Sequence, residues 1–252
     1  MPPSSSTPLH IGILLLETTQ LLDLSAIDLL YMTTPEYLTT CTPPLPQSLI
    51  SMSRPCKMHY ITANAANPTH TTSQLSIQPT SSLTSPAVAP GTLDLVLIPG
   101  PSPKTMPPAN EYLDFVRAHF EAGVLVLAVC TAAFVVGYAG VVDGRRVTAP
   151  RLLVPEMRRM FPGAEWDERV RVVRDGNLWT CGGITNGHDL VIAYLRDHYP
   201  ALLVNTILAA ADITPRPVAY ATSATEDTDT VYAVWRVIKA FSKAVVWFFG
   251  KK

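Results

Sequence analysis

Residues 123–144, GVLVLAVCTAAFVVGYAGVVDG, decide how the chain is read. Val124 to Val129 is an apolar run rich in β-branched residues, the pattern of a strand buried on both faces. Cys130 stands where that pattern changes. From Thr131 to Gly140 the residues are small and apolar with helical spacing, and Gly140 suits a left-handed helix end. A strand that stops at a nucleophile and turns directly into a helix is the recipe of a nucleophile elbow. The helix N-terminus behind such a turn offers unpaired N–H groups and the positive end of a dipole. Both are expected to lower the pKa of the thiol and to stabilise an oxyanion beside it. The stretch alone leaves two readings of Cys130 open: a nucleophile, or a core thiol, since free cysteine is among the most buried residue types.

Outward from this stretch, strands and helices alternate. Leu9–Leu16 and Leu93–Ile98 are apolar runs that read as buried strands, and Pro99–Gly100–Pro101 stops the second sharply. Lys57–Thr62 and Ser73–Ile77 read as short strands, the latter in a small hairpin. Glu111–Ala122 has helical spacing of Leu113, Val116 and Phe120, with Gly123 as its cap. Arg145–Thr148 reads as a short strand and Leu152–Phe161 as a short helix. Arg169–Arg174 and Asn177–Cys181 flank Asp175–Gly176, a tight-hairpin signal. Asp189–His198 and Ala201–Ala211 read as helices. Thr33–Pro55 and Ser81–Gly91 read as irregular connections. This alternation predicts an α/β sandwich with a mainly parallel sheet. In such sheets sites collect at the carboxyl ends of strands. Asp23 sits at the carboxyl end of the first one, ahead of a helix for which Ser25 is a suitable N-cap. The alternative for Asp23 is an acid that merely complements that helix dipole.

Composition narrows the function classes. The 252 residues are 48% hydrophobic with a formal net charge of −1, enough apolar material for one large domain. There is no basic stripe of the kind nucleic acid demands. The four cysteines, Cys41, Cys56, Cys130 and Cys181, show no metal-binding spacing, and a Cys41–Cys56 disulfide finds no support in the sequence. Residues 1–8 read as a frayed arm without the features of a signal peptide, and no apolar run is long enough to span a bilayer. A cytoplasmic protein with reduced thiols is expected. Thr214–Thr230, polar and proline-containing, reads as a linker or a surface excursion. The last residues, VYAVWRVIKAFSKAVVWFFGKK, read as a helix with an apolar face of Trp235, Ile238, Phe241, Val245 and Phe248. It is expected to pack on the domain or a dimer partner, with membrane contact the less favoured alternative.

Five marks follow one another in order: GILLL…LLDLS near the start, LVLIPGP, LAVCTAAFVVGYAGVVDGRRVT, VVRDGNLWTCGGITNGHDL and the closing helix. Together they resemble the ThiJ/PfpI superfamily, the class I glutamine-amidotransferase-like proteins, and within it the isonitrile hydratase type. The resemblance runs from about Leu9 to about Ile213. It implies a flavodoxin-like three-layer sandwich, a homodimer, and a cysteine enzyme needing no metal or organic cofactor. The nucleophile of that family matches Cys130, and the acid that bonds it matches Asp23, as general acid/base. Thr131 matches the residue whose N–H serves the oxyanion site. Gly100, Arg151, Asn186 and His188 are the candidate substrate contacts. The small-molecule reaction implied is hydration of an isonitrile, or a tailoring lyase or cyclase step in specialised metabolism. A redox-sensing or chaperone-like homodimer with an oxidisable Cys130, and a glyoxalase-type lyase, are the alternatives.

Two departures from the family pattern matter. Relatives usually end the strand before the elbow in Pro–Gly–Gly, whose second glycine donates to the oxyanion. Here Pro101 stands in that place and has no N–H. Many relatives also carry a histidine shortly after the GRR strand, where this chain has Thr148–Ala149–Pro150–Arg151. Arg151 is then either an anion-holding pocket residue or a solvent-facing residue at a helix start. His188 is either a pocket residue or a local cap contact, and Cys181 reads as a core thiol.

Overall fold

The apolar runs assemble into one seven-stranded sheet in a computed structural model that describes residues 7–221. The spatial order is Val172–Asp175, Leu178–Cys181, Leu125–Ala128, Leu95–Ile98, Leu9–Leu14, Cys56–Thr62, Ser81–Ser82. All neighbours are parallel except the first two, which form the hairpin that Asp175–Gly176 announces. Gly176 takes a φ of +57° there, which only glycine adopts without strain. Register is continuous across the centre: Ile11 and Ile13 face Leu95 and Leu97, and Leu97 and Ile98 face Leu127 and Ala128.

Both faces of the sheet are apolar, and alternation along each strand splits the core in two. Ile11, Ile13, Leu95, Leu97, Leu127 and Val129 point to one side, under helices Ile27–Tyr31, Asn186–His198 and Ala201–Ala210. Leu14, Val96, Ile98, Val126 and Ala128 point to the other, under Asn110–Glu121, Ala132–Tyr138 and Val154–Met160. Three layers result, a flavodoxin-like α/β fold. Gly123, at φ +79°, ends Asn110–Glu121, and the chain re-enters the sheet at Leu125.

Several local readings are corrected. Ser25 is not an N-cap: its hydroxyl donates back to the Leu22 carbonyl at 2.6 Å, closing a one-turn helix, Leu21–Leu24, that contains Asp23. The Thr33–Pro55 connection holds two short helices, Pro35–Leu38 and Gln47–Ile50, the first capped by the Thr34 hydroxyl. Ser81–Ser82, read as loop, adds an edge strand to the main sheet. Ser76–Ile77 pairs with Thr69–Thr71, which in turn pairs with Thr18–Thr19. Cys41 and Cys56 are free thiols. Residues 214–221 are not a loose linker, because Val218 to Tyr220 run antiparallel beside Arg169 to Arg171. The N-terminal arm up to residue 6 and the C-terminal apolar segment from residue 222 lie outside the described residues. No helix among the described residues is long and apolar enough to cross a membrane.

Candidate active site

Three adjacent parallel strands, Leu9–Leu14, Leu95–Ile98 and Leu125–Ala128, end at the same edge, so their following loops meet there. Those loops carry Asp23, Gly100 and Cys130. The strand pairing continues to Val129, whose N–H donates to the Ile98 carbonyl at 2.9 Å, and the helix begins at once with Ala132 N–H donating to Val129 at 3.0 Å. Between them the backbone has one residue in which to reverse. Cys130 takes φ +59°, the left-handed region, and as a non-glycine it costs about 1–3 kcal/mol. Cys130 is buried at this turn, 8% exposed.

Gly100 is the point of assembly. Its N–H donates to Asp23 Oδ2 at 2.8 Å and its carbonyl accepts from the Gln20 N–H at 2.9 Å, so one peptide segment fixes the whole Gln20–Asp23 turn. A Cβ at Gly100 would lie 2.6 Å from Thr131 Oγ1 and would overlap the Asp23 carboxyl, so only glycine fits. The Thr131 hydroxyl donates to the Pro101 carbonyl at 2.7 Å. Pro101, which has no N–H, thus joins the site as an acceptor through its carbonyl.

Asp23 is fully buried beside the Cys130 thiol, and its Oδ1 finds no hydrogen-bond partner. Burial raises its pKa from an ordinary 3.8 to about 7, against the downward pull of the Gly100 N–H and of the thiol. The thiol is itself pushed up to about 11, first by burial and then by the Asp23 charge. Backbone N–H groups of Ile184 and Thr131 donate to the sulfur and pull the other way, but lose. Where the elbow is expected to acidify the thiol, burial is the largest influence on it and pushes it up. With the thiol at about 11 and the carboxyl at about 7, the sulfur keeps its proton at neutral pH, and the Asp23 carboxyl is divided there between its acid form and a carboxylate able to take that proton.

The other candidates divide. His188 sits in the first turn of Asn186–His198, and its Nε2 lies 3.2 Å from the Ser25 hydroxyl. That hydroxyl gives its only proton to Leu22, so Nε2 must be the donor. His188 is thus not a local cap: it links the start of its helix to the Asp23 turn from across the fold. Asn186 is buried, its amide donating to Asp189 at 2.9 Å and its carbonyl accepting from the Tyr220 hydroxyl at 2.9 Å. Arg151 is half-buried, its guanidinium 4.4 Å above the Tyr220 ring. Cys181 is a wholly buried core thiol. Ile184 went unread in the sequence because its contribution is a backbone N–H, which no side chain announces. Only the flanking Gly182–Gly183 and its φ of +24° mark the place. Among the described residues no group of three or more His, Cys, Asp or Glu side chains is placed to hold a metal ion.

A flavodoxin-like sheet with an acid-paired cysteine on a strained elbow defines a class of proteins, and comparison places the chain within it. Residues 47–197 match the DJ-1/PfpI family, and the chain belongs to that family. Isonitrile hydratase of Pseudomonas putida is 34% identical over 109 residues, 42% of this chain and 45% of that relative, so this chain matches less than half of its length. A ThiJ/PfpI family protein from Pseudomonas syringae superposes with a TM-score of 0.69 at 19% identity, covering 95% of this chain and 89% of that one. Drosophila melanogaster DJ-1beta superposes with a TM-score of 0.64 at 18% identity, covering 82% of this chain and all (100%) of that one. At these identities the two structures speak for the fold.

Proposed function

We propose that the protein is a cysteine-dependent isonitrile hydratase-like enzyme. The observation that carries this reading is the buried Asp23 carboxyl beside the Cys130 thiol on a strained elbow. As sulfur attacks the terminal carbon of an isonitrile, its proton passes to Asp23, and Asp23 returns it to that carbon. The product of this step is a thioimidate, with one S–C and one C–H bond formed. Water then adds to the thioimidate carbon, and the C–S bond breaks with a proton returned to sulfur. The net change is one water added and an N-substituted formamide released.

The altered oxyanion site agrees with this chemistry. Losing one donor costs about 10²–10³ in rate when an oxyanion must form there. Attack on an isonitrile places the developing negative charge on carbon, next to Asp23, so Pro101 is harmless to that step. The exposed side chains of Leu22 and Ile184, on the segments that supply Asp23 and the Ile184 N–H, favour an apolar substituent on the substrate. A glyoxalase-type lyase is less well supported, because the histidine after the GRR strand is absent. A peroxide sensor is disfavoured by a thiol that is buried and raised to about 11.

The test is turnover of a simple alkyl isonitrile, with the formamide followed by chromatography. The wild type is expected to turn over, with kcat/KM rising with pH through about 7 as Asp23 becomes the base. Asp23→Asn is expected to lose about 10²–10⁴ in rate and Cys130→Ala to be inactive. Full activity in Cys130→Ala would end the proposal.

A further inference from the structure

The Gly182–Asn186 loop brings the Ile184 N–H to the Cys130 sulfur, and its own turn bonds, from the Asn186 N–H to the Gly183 carbonyl at 2.8 Å and from the Gly187 N–H to the Ile184 carbonyl at 3.1 Å, tie it only to the start of the following helix. Gly182 and Gly183 give it freedom, and Ile184 sits at φ +24°, outside the regions a β-branched residue favours. Such a conformation persists only where surrounding contacts over-determine it. Those contacts come from residues 215–220, which follow the last helix.

Arg216 donates to the Thr185 carbonyl at 2.8 Å and to its hydroxyl at 3.2 Å. The same guanidinium pairs with Asp189 at 2.5 Å, so its charge is balanced one turn into the Asn186–His198 helix. Tyr220 donates to Asn186 at 2.9 Å, and its hydroxyl lies where a Cβ on Gly182 would stand, only 2.6 Å away. Arg151 and Arg171 stack on the Tyr220 ring at 4.4 and 4.3 Å. Arg171 also donates to the Pro217 carbonyl at 2.6 Å and the Ala219 carbonyl at 2.8 Å, fixing the backbone of the segment. Both ends of the loop are therefore gripped, at Gly182 and at Thr185–Asn186, with Ile184 between them.

We infer that Arg216 and Tyr220 are positioning residues that hold the Ile184 N–H on the reacting sulfur. The inference rests on the reading of Cys130 as the reacting group, and it gives residues 215–220 a part in the site.

The test needs no substrate. Cys130 alkylation by iodoacetamide is followed by peptide mass spectrometry as a function of pH in the wild type, Arg216→Ala, Tyr220→Phe and a control, Arg159→Ala, which breaks only a surface pair with Glu156. Loss of a hydrogen bond to a charged group is expected to move the midpoint to higher pH and slow alkylation at pH 8 by about tenfold in both loop variants. Arg159→Ala is expected to follow the wild type, and thermal melts confirm that every variant is folded. An unchanged profile in both loop variants would overturn the inference. So would uniformly faster alkylation with the same midpoint, which would make the segment a mere cover. Failure of the wild type to hydrate isonitriles would end the proposed function and leave this result standing.

Discussion

At the scale of single residues, the site is bought with instability. Asp23 is a carboxylate taken out of water with one backbone donor and a thiol as its company. Its folded pKa of about 7 lies above its ordinary 3.8, so between these values the folded state binds more protons than the unfolded one. Stability from this group is then full below about pH 4 and falls as pH rises towards 7. Asn at this position has no charge to desolvate. Asp23→Asn is therefore expected to melt higher than the wild type at pH 8, with the gap closing by pH 5. Thermal melts of the two proteins at both pH values check it, other titrating groups cancelling in the difference. A wild type that melts higher at pH 8 would contradict the argument. Activity moves the opposite way, which is the usual relation between a strained site and stability.

At the scale of elements, the elbow works because three strand ends share one edge and Gly100 ties them. Its peptide groups bond the Asp23 turn on one side, and its missing Cβ leaves room for Thr131 on the other. Gly100→Ala forces a carbon to within 2.6 Å of Thr131 Oγ1. Overpacking of this kind costs about 1–3 kcal/mol. The expected outcome is a lower denaturation midpoint in urea together with loss of most isonitrile turnover, since the atom displaced is the Asp23 carboxyl. Of these elements, the strand, the cysteine turn and the helix were readable from residues 123–144 alone, because apolar β-branched and small helical patterns differ in period. The Asp23 turn was read less well. Ser25 reads as a cap in sequence, but its hydroxyl bonds backward to Leu22 and meets the half-buried His188, a partner 163 residues away.

At the scale of the whole molecule, a buried carboxylate outside the site gathers two exposed arginines, one of them from a separate strand. The Asp167 carboxylate is buried, accepts from Arg146 at 2.6 Å and from Arg169 at 2.9 Å, and is held far below the usual carboxylate range, chiefly by Arg169. Its folded pKa is depressed, so its contribution is present above its ordinary 3.8 and lost as pH falls below. Asp167→Asn is expected to lower stability at pH 7 by about 1–3 kcal/mol, the figure being limited by the exposure of both arginines. The deficit shrinks below about pH 4, and denaturant titrations at pH 7 and pH 3 measure it. Asp23 and Asp167 thus oppose each other across the pH range, one favouring acid and the other neutrality.

The linear chain determined the sheet, the two-sided core and the cysteine elbow, because hydrophobic period, proline stops and glycine turns act over a few residues. It also carried the pairing of Asp23 with Cys130 through a family resemblance. Tertiary structure alone decided three things. It decided where the proton rests, because desolvation depends on what covers a group and not on its neighbours in sequence. It decided that Arg151 and Asn186 bond Tyr220 and that His188 braces Ser25. And it brought residues 215–220 back over a loop some thirty positions earlier, a closure for which no local pattern exists, since side chains that meet only in the folded state leave no periodic trace along the chain.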